Sequence, residues 1–356
     1  MPKNNISKYQ FTCIVALFLF GSSVLIPPGP AAKQEAWLVL ILASFWSVGL
    51  FYIYSSLSKL FPGDTIIEYL PKVYGDIIGK LIALIYIASF ILLSAEVTRN
   101  LVDFLTTLMS ETPMFAISIP LLAAGSYLLK KDLDTISKFI EFFFPIVISL
   151  YLLATLALIP YMNPYNLLPF FSTDFFTNVT HGFIQASGWP FGEIITLTMI
   201  FPFLKNKKEI QSGATQAVIV VGLLFIMVSF RNRTVLGEAI STTTYPSLNA
   251  IDMVTIPGLG SIVYLMFIGQ ISSLFIKVVI SYYAATKGIA QLIGSKNYKV
   301  FIFPLLIILI CLSQSVYDNI SDTAHFGLDI YPYYLFLLSF VIPITTYLVA
   351  KLRTSL

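Results

Sequence analysis

Ten long apolar runs, parted by short polar stretches, constrain this chain more than any other feature. They lie at about 9–28, 36–60, 78–108, 114–129, 135–160, 176–204, 210–230, 259–286, 299–316 and 332–350. A hydrocarbon core about 30 Å thick takes about 20 apolar residues per helical crossing, so runs of this length predict membrane-spanning helices. Hydrophobicity within them is continuous rather than alternating, which excludes an outer-membrane strand pattern. Of 356 residues, 57% are hydrophobic and 11% charged, more apolar surface than a soluble domain of this size can hide. No run of sequence remains for a separate soluble enzyme domain. The fold class expected is all-α and integral to the membrane, one transmembrane domain of ten helices over residues 1–356.

Charge placement gives the orientation. The 21 Lys+Arg against 18 Asp+Glu leave +3, too mild a surplus for a nucleic-acid binder. With a cytoplasmic N-terminus, sixteen basic residues fall on the cytoplasmic side, among them Lys8, Lys72, Lys131, Lys207 and Lys296. Only Lys33, Arg99, Arg231 and Arg233 fall outside, and Lys277 lies within the eighth run. Such a split follows the excess of basic residues in cytoplasmic loops, and one missed crossing would scramble it, so ten crossings with both termini cytoplasmic are expected. The first run is taken as a span rather than a signal sequence, since its apolar stretch approaches spanning length. Cys13 and Cys311 sit in apolar runs and are read as packing residues. His181 and His325 form no ligand pattern, so neither metal nor cofactor is expected.

Two runs carry breaks. Run 1 contains Gly21, Ser22 and Ser23, followed by Pro27 and Pro28; run 6 contains Ser187, Gly188, Trp189, Pro190 and Gly192. Proline lacks an N–H and clashes with the preceding turn. Backbone opened at membrane depth is tolerated only where it faces protein or a water-filled cavity. Runs 1 and 6 are the first members of two sets of five, at 9–160 and 176–350. An odd number of crossings per set inverts the second against the first, and paired discontinuous helices point to a midplane binding site of transporter type. Glycine and proline that merely kink a helix are the plainer reading.

Ionisable residues inside the runs are few and costly, by about 2.5–3.5 kcal/mol each on the insertion scale. Counted from Lys205 and Lys287, Glu193 and Lys277 lie 12 and 10 residues deep, about 18 and 15 Å at 1.5 Å per residue. A Glu193–Lys277 interaction is expected, as a proton relay, a built-in cation or a static pair. Glu141 is the alternative partner for Lys277. Glu96, Arg99 and Asp103 share one face of run 3, along an outer vestibule or at a solvated helix end. The loop from about 231 to 258 is either an outer lid or a connection.

Several segments together resemble the B subunits of bacterial spore germinant receptors, the GerAB-type endospore germination proteins of the amino acid/polyamine/organocation superfamily. They are ISKYQ at 6–10, GSSVLIPPG at 21–29, AAKQEAW at 31–37, GDTIIEYLPKVYG at 63–75, PFGE at 190–193 and YPS at 245–247. The resemblance implies a ten-helix, five-plus-five inverted repeat similar to LeuT-type transporters. It implies sensing of a small nutrient such as an amino acid, in the spore inner membrane, with an A subunit and a lipoprotein C subunit as partners. Carried onto this chain, the ligand would lie near Gly21, Ser22, Ser23, Ser187, Gly188, Trp189 and Pro190. Val97 on helix 3 and Gln270 and Ser273 on helix 8 would form the walls. A proton-coupled amino acid permease, with Glu193 and Lys277 as the relay, is the rival expectation.

Overall fold

The computed structural model describes residues 6–23, 27–256, 260–261, 263–317, 322 and 325–354. Helices dominate. They are α1 (Lys8–Ser23), α2 (Ala36–Leu60), α3 (Ile66–Tyr74), α4 (Asp76–Thr106), α5 (Met114–Lys130), α6 (Leu133–Leu158), α7 (Phe175–Gly188), α8 (Glu209–Leu236), α9 (Pro246–Asp252), α10 (Val263–Leu292), α11 (Ile302–Ser315) and α12 (Phe326–Arg353). Between Thr255–Ile256 and Gly260–Ser261 runs a two-residue antiparallel pair, the only sheet among the described residues.

Seven helical segments are long and apolar enough to cross a bilayer: Pro30–Leu60, Asp76–Thr106, Leu133–Tyr161, Glu209–Thr242, Met266–Leu292, Tyr298–Ser315 and Phe326–Arg353. Lys8–Gly21 and Met114–Lys130 are shorter apolar helices. With this apolar length the protein is integral to the membrane.

Burial sorts the helices by role. In α1, Phe11 and every residue from Cys13 to Phe20 have 0% exposure, so this helix is apolar all round because it is enclosed all round. It packs against α6, α8 and α10. The other central helix is α10, packed on α1, α4, α5 and α6. Toward the periphery, α6 and α11 expose Phe142, Leu153, Phe303 and Ile307, apolar side chains that suit lipid and not water.

Local chemistry explains two departures from plain helix. Pro190 disfavours α-helical geometry at the residue before it, and Trp189 is extended at φ −120°, ψ 123°, ending α7 at Gly188. The chain continues in 3₁₀ turns over Glu193–Met199 and Phe201–Phe203. In α12, π-helical turns occupy Phe326–Ile330 and Leu337–Val341. A wider turn frees carbonyls from the helical ladder, and buried tyrosines meet them: Tyr54 of α2 donates to the Ser339 carbonyl at 2.5 Å, and Tyr86 of α4 to that of Leu338 at 2.6 Å.

Three sequence expectations need correction. Arg231 belongs to α8, not to an outer loop; it is 1% exposed, and its guanidinium donates to Asn232 Oδ1 from Nε and Nη2. Asn232 supplies the acceptor that lets the helix keep a guanidinium inside. Glu96, Arg99 and Asp103 are 7%, 3% and 4% exposed, so the solvated reading fails: Arg99 Nε donates to Asp103 Oδ1 at 2.8 Å one turn along. Cys13 is buried, but Cys311 is exposed on α11, because an apolar side chain in a membrane helix can face lipid as well as core. Asp318, which the sequence places among solvated acidic residues of the outer side, lies outside the described residues.

Candidate functional site

Glycine at position 21 brings α1 against α10. A Cβ there would lie 2.8 Å from Lys277 Cδ and 3.4 Å from the Ser273 carbonyl. The Gly21 carbonyl, near the C-terminal end of α1, accepts from Gln270 Nε2 at 2.7 Å, and Gln270 Oε1 accepts from the Tyr151 hydroxyl at 2.5 Å. A helix's last carbonyls lack partners within the helix, and here one is supplied by a side chain from α10 and steadied by α6.

One turn along α10 from Ser273, Lys277 reaches the segment that follows α7. Its Nζ lies 2.5 Å from Glu193 Oε2, with 0% and 2% of the two side chains exposed. Tyr331 of α12 donates to Glu193 Oε1 at 3.4 Å, and the ammonium also sits 5.5 Å from the Phe18 ring centroid of α1. Lys277 is 14 residues from one end of α10 and 15 from the other, at the middle of the helix. A buried ion pair stands only if its remaining valences are met, and α1, α12 and the 3₁₀ segment meet them together. Glu141, the other partner considered for Lys277, instead accepts from Gln10 Nε2 at 2.9 Å.

The rest of the 187–190 turn packs toward α12. At Gly188 a Cβ would come within 2.3 Å of Pro332 Cα, so only glycine allows that approach. Trp189 is buried with Tyr331 and Leu335. The Ser187 hydroxyl donates to the Ile184 carbonyl, Ser23 to Leu19 and Ser273 to Gln270, each at 3.0 Å. Val97 is 2% exposed on α4. Of Ser22 only the helical backbone is described. The structure thus brings Gly21, Gln270, Ser273, Lys277 and Glu193 together and places Gly188 and Trp189 against α12. At the far end of α1, the Ile6 N–H donates to the Phe203 carbonyl at 2.9 Å and the Lys205 N–H to that of Ile6 at 3.1 Å, tying the start of α1 to the end of the 3₁₀ segment.

Tyrosines are what the sequence reading missed. Tyr331, Tyr151 and Tyr317 each place a hydroxyl on a buried polar group. Their one available signal is general: a buried tyrosine hydroxyl seeks a partner. Tyr317, just past α11, donates to Glu96 Oε1 at 2.6 Å; burial above all raises its phenol well above the ordinary range. At Tyr245, before α9, burial and then Asp103 push the phenol up to about 12.

Comparison with known proteins decides the family. A family model described as "Spore germination protein" matches residues 5–323. The chain belongs to that family. It is 26% identical over 359 residues to spore germination protein KB of Bacillus subtilis (strain 168), covering 98% of this chain and 95% of that one. To spore germination protein YndE of the same organism it is 27% identical over 352 residues, covering 93% and 94%. Among solved structures, a Na+-coupled sialic acid symporter in a substrate-bound outward-open state superposes with TM-score 0.71 at 11% identity, over 98% of this chain and 89% of that one. At that identity the likeness is one of fold. Family and fold are permease-like rather than enzymatic.

Proposed function

We propose that this chain is the nutrient-sensing subunit of a spore germinant receptor, built on a transporter scaffold. In this reading the spans number ten: the seven long segments, the two shorter apolar helices and the composite of α7 with its 3₁₀ continuation. They form two inverted sets of five, 9–160 and 176–350, with both termini cytoplasmic in the spore inner membrane. Helices 1 and 6 of that scheme are discontinuous, and a small nutrient of amino acid class sits between them. Gly21, Ser22, Ser23 and 187–190 surround it, with Val97, Gln270 and Ser273 as walls. Binding would shift the balance between arrangements of the two sets, and the receptor's A and C subunits would receive the change.

The observation that carries this reading is the junction at mid-membrane. One glycine of α1, one lysine of α10 and one glutamate after α7 meet there, so any rearrangement of α1 against the 3₁₀ segment must pass through that contact. Family membership supplies the germination role. Replacing Gly21 by leucine drives a side chain into Lys277, and should abolish the amino acid-induced rise in Tm of the purified protein while its expression persists. An undiminished rise would remove the site from this place.

A proton-coupled amino acid permease is the second reading, favoured by the likeness in fold to a symporter and by the buried Glu193–Lys277 pair. Labelled amino acid taken up into proteoliposomes in response to a proton gradient, and no uptake without one, would establish it.

A further inference from the structure

Five buried charges sit on elements packed around α10: Glu96, Arg99 and Asp103 on α4, Glu193 after α7 and Lys277 on α10 itself. Three are carboxyls and two are cations, so the described cluster is one cation short. Both cations are committed. Lys277 donates to Glu193 at 2.5 Å. Arg99 gives Nε to Asp103 at 2.8 Å, and its Nη1 to the Tyr317 carbonyl at 2.8 Å and the Gln314 carbonyl at 3.3 Å.

Glu96 is the member left over. Its Oε1 accepts from the neutral Tyr317 hydroxyl, and no described residue engages Oε2 by hydrogen bond. The groups that face it are Lys277 from α10, Glu193 from the 3₁₀ segment, Tyr317 after α11, and Tyr331 and Tyr334 from α12. Arg99 and Asp103 follow on its own helix. The helices α3 and α5, also packed on α4, bring no charged group to bear on it. A buried carboxylate without a cation is far costlier than the same group neutral, and the one ligand that neutralises it without needing space is a proton.

We propose that Glu96 is a proton-binding site, holding one proton on its carboxyl for as long as Lys277 serves Glu193. Two carboxyls then share one ammonium and one proton. When Lys277 turns to Glu96, the proton leaves Glu96 and is taken by the carboxyl the lysine has left. Lys277 remains an ammonium throughout, and the cluster's net charge is unchanged. The site shares Lys277 and Glu193 with the junction described above, but it needs no nutrient and stands without one.

Infrared difference spectroscopy of the purified full-length protein, in H2O and D2O at neutral pH, tests this without any nutrient. Expected is the carbonyl stretch of a protonated, buried carboxylic acid, lost in Glu96→Gln and moved to higher frequency in Tyr317→Phe, where its hydrogen-bond donor is gone. In Glu193→Gln the band should also vanish, because the freed Lys277 then compensates an ionised Glu96. No acid band in the native protein, or a band unchanged by Glu96→Gln, would overturn the proposal. A band that survives Glu193→Gln would overturn the sharing of Lys277. If Glu96→Gln does not fold, the Tyr317→Phe shift decides: present, Glu96 carries the proton; absent, it does not.

Discussion

At the scale of single residues, the Glu193–Lys277 contact is a buried pair whose carboxylate has no other cation among the described residues once the lysine is removed. Removing one member of a buried ion pair typically costs about 3–5 kcal/mol, since the other is left buried and uncompensated. Lys277→Met should therefore lower Tm sharply, and Lys277→Met with Glu193→Gln should recover most of the loss; a double variant as unstable as the sum of the singles would show the two to be uncoupled. The glycines should differ in kind. At Gly188 a new Cβ meets the backbone of Pro332 at 2.3 Å, and Gly188→Ala should cost about 1–3 kcal/mol, the usual range for overpacking. At Gly21 it meets the side-chain stem of Lys277, Cδ at 2.8 Å and Cβ at 3.1 Å, rather than backbone, so Gly21→Ala should lower Tm less than Gly188→Ala does. Thermal unfolding in detergent measures both. The level of Glu193 and Lys277 could be counted from flanking lysines, because charges inside apolar runs are rare enough to stand out. Tyr331, Tyr151 and Tyr317 could not be singled out, because in a chain with 20 tyrosines their role depends on which carboxyl or amide the packing brings near.

Elements show the same divide. The end of α7 is legible because Pro190 acts on its own neighbours, through a missing N–H and a constraint on Trp189. The π-helical turn Leu337–Val341 is not, for LLSFV holds neither proline nor glycine, and its freed carbonyls are met by hydroxyls from α2 and α4. Taking away a donor leaves a buried carbonyl unsatisfied, at about 1–3 kcal/mol. Tyr54→Phe and Tyr86→Phe should each lower stability by that order and speed amide exchange over 337–341, with exchange elsewhere in α12 little changed; protection unaltered there would mean the tyrosines do not hold the turn. The extent of α8 was also hidden, since the sequence gives no reason for Arg231 to be inside until Asn232 is seen to accept from it.

The whole molecule was the most legible, because apolar runs report membrane helices without knowledge of their neighbours. Ten runs with a lopsided distribution of lysine imply alternating sides, and that is open to labelling. In a background with Cys13 and Cys311 replaced by alanine, single cysteines at exposed Lys131 and Lys208 should react with an impermeant maleimide from one side of sealed vesicles, and cysteines at Tyr165 and Glu238 from the other. Any other pairing would break the ten-span scheme. What the runs could not convey is how α1 is seated: its enclosure by α6, α8 and α10 depends on contacts between segments distant in sequence.

The most direct measurement is equilibrium binding of the radiolabelled standard amino acids to the purified protein, native and Gly21→Leu, with Glu141→Gln as a control away from the mid-membrane junction. Binding of at least one amino acid to the native and control proteins, lost in Gly21→Leu at unchanged expression, is the result predicted. Binding that survives Gly21→Leu undiminished, or no binding to any of the three, would contradict a nutrient site between α1 and the segment after α7.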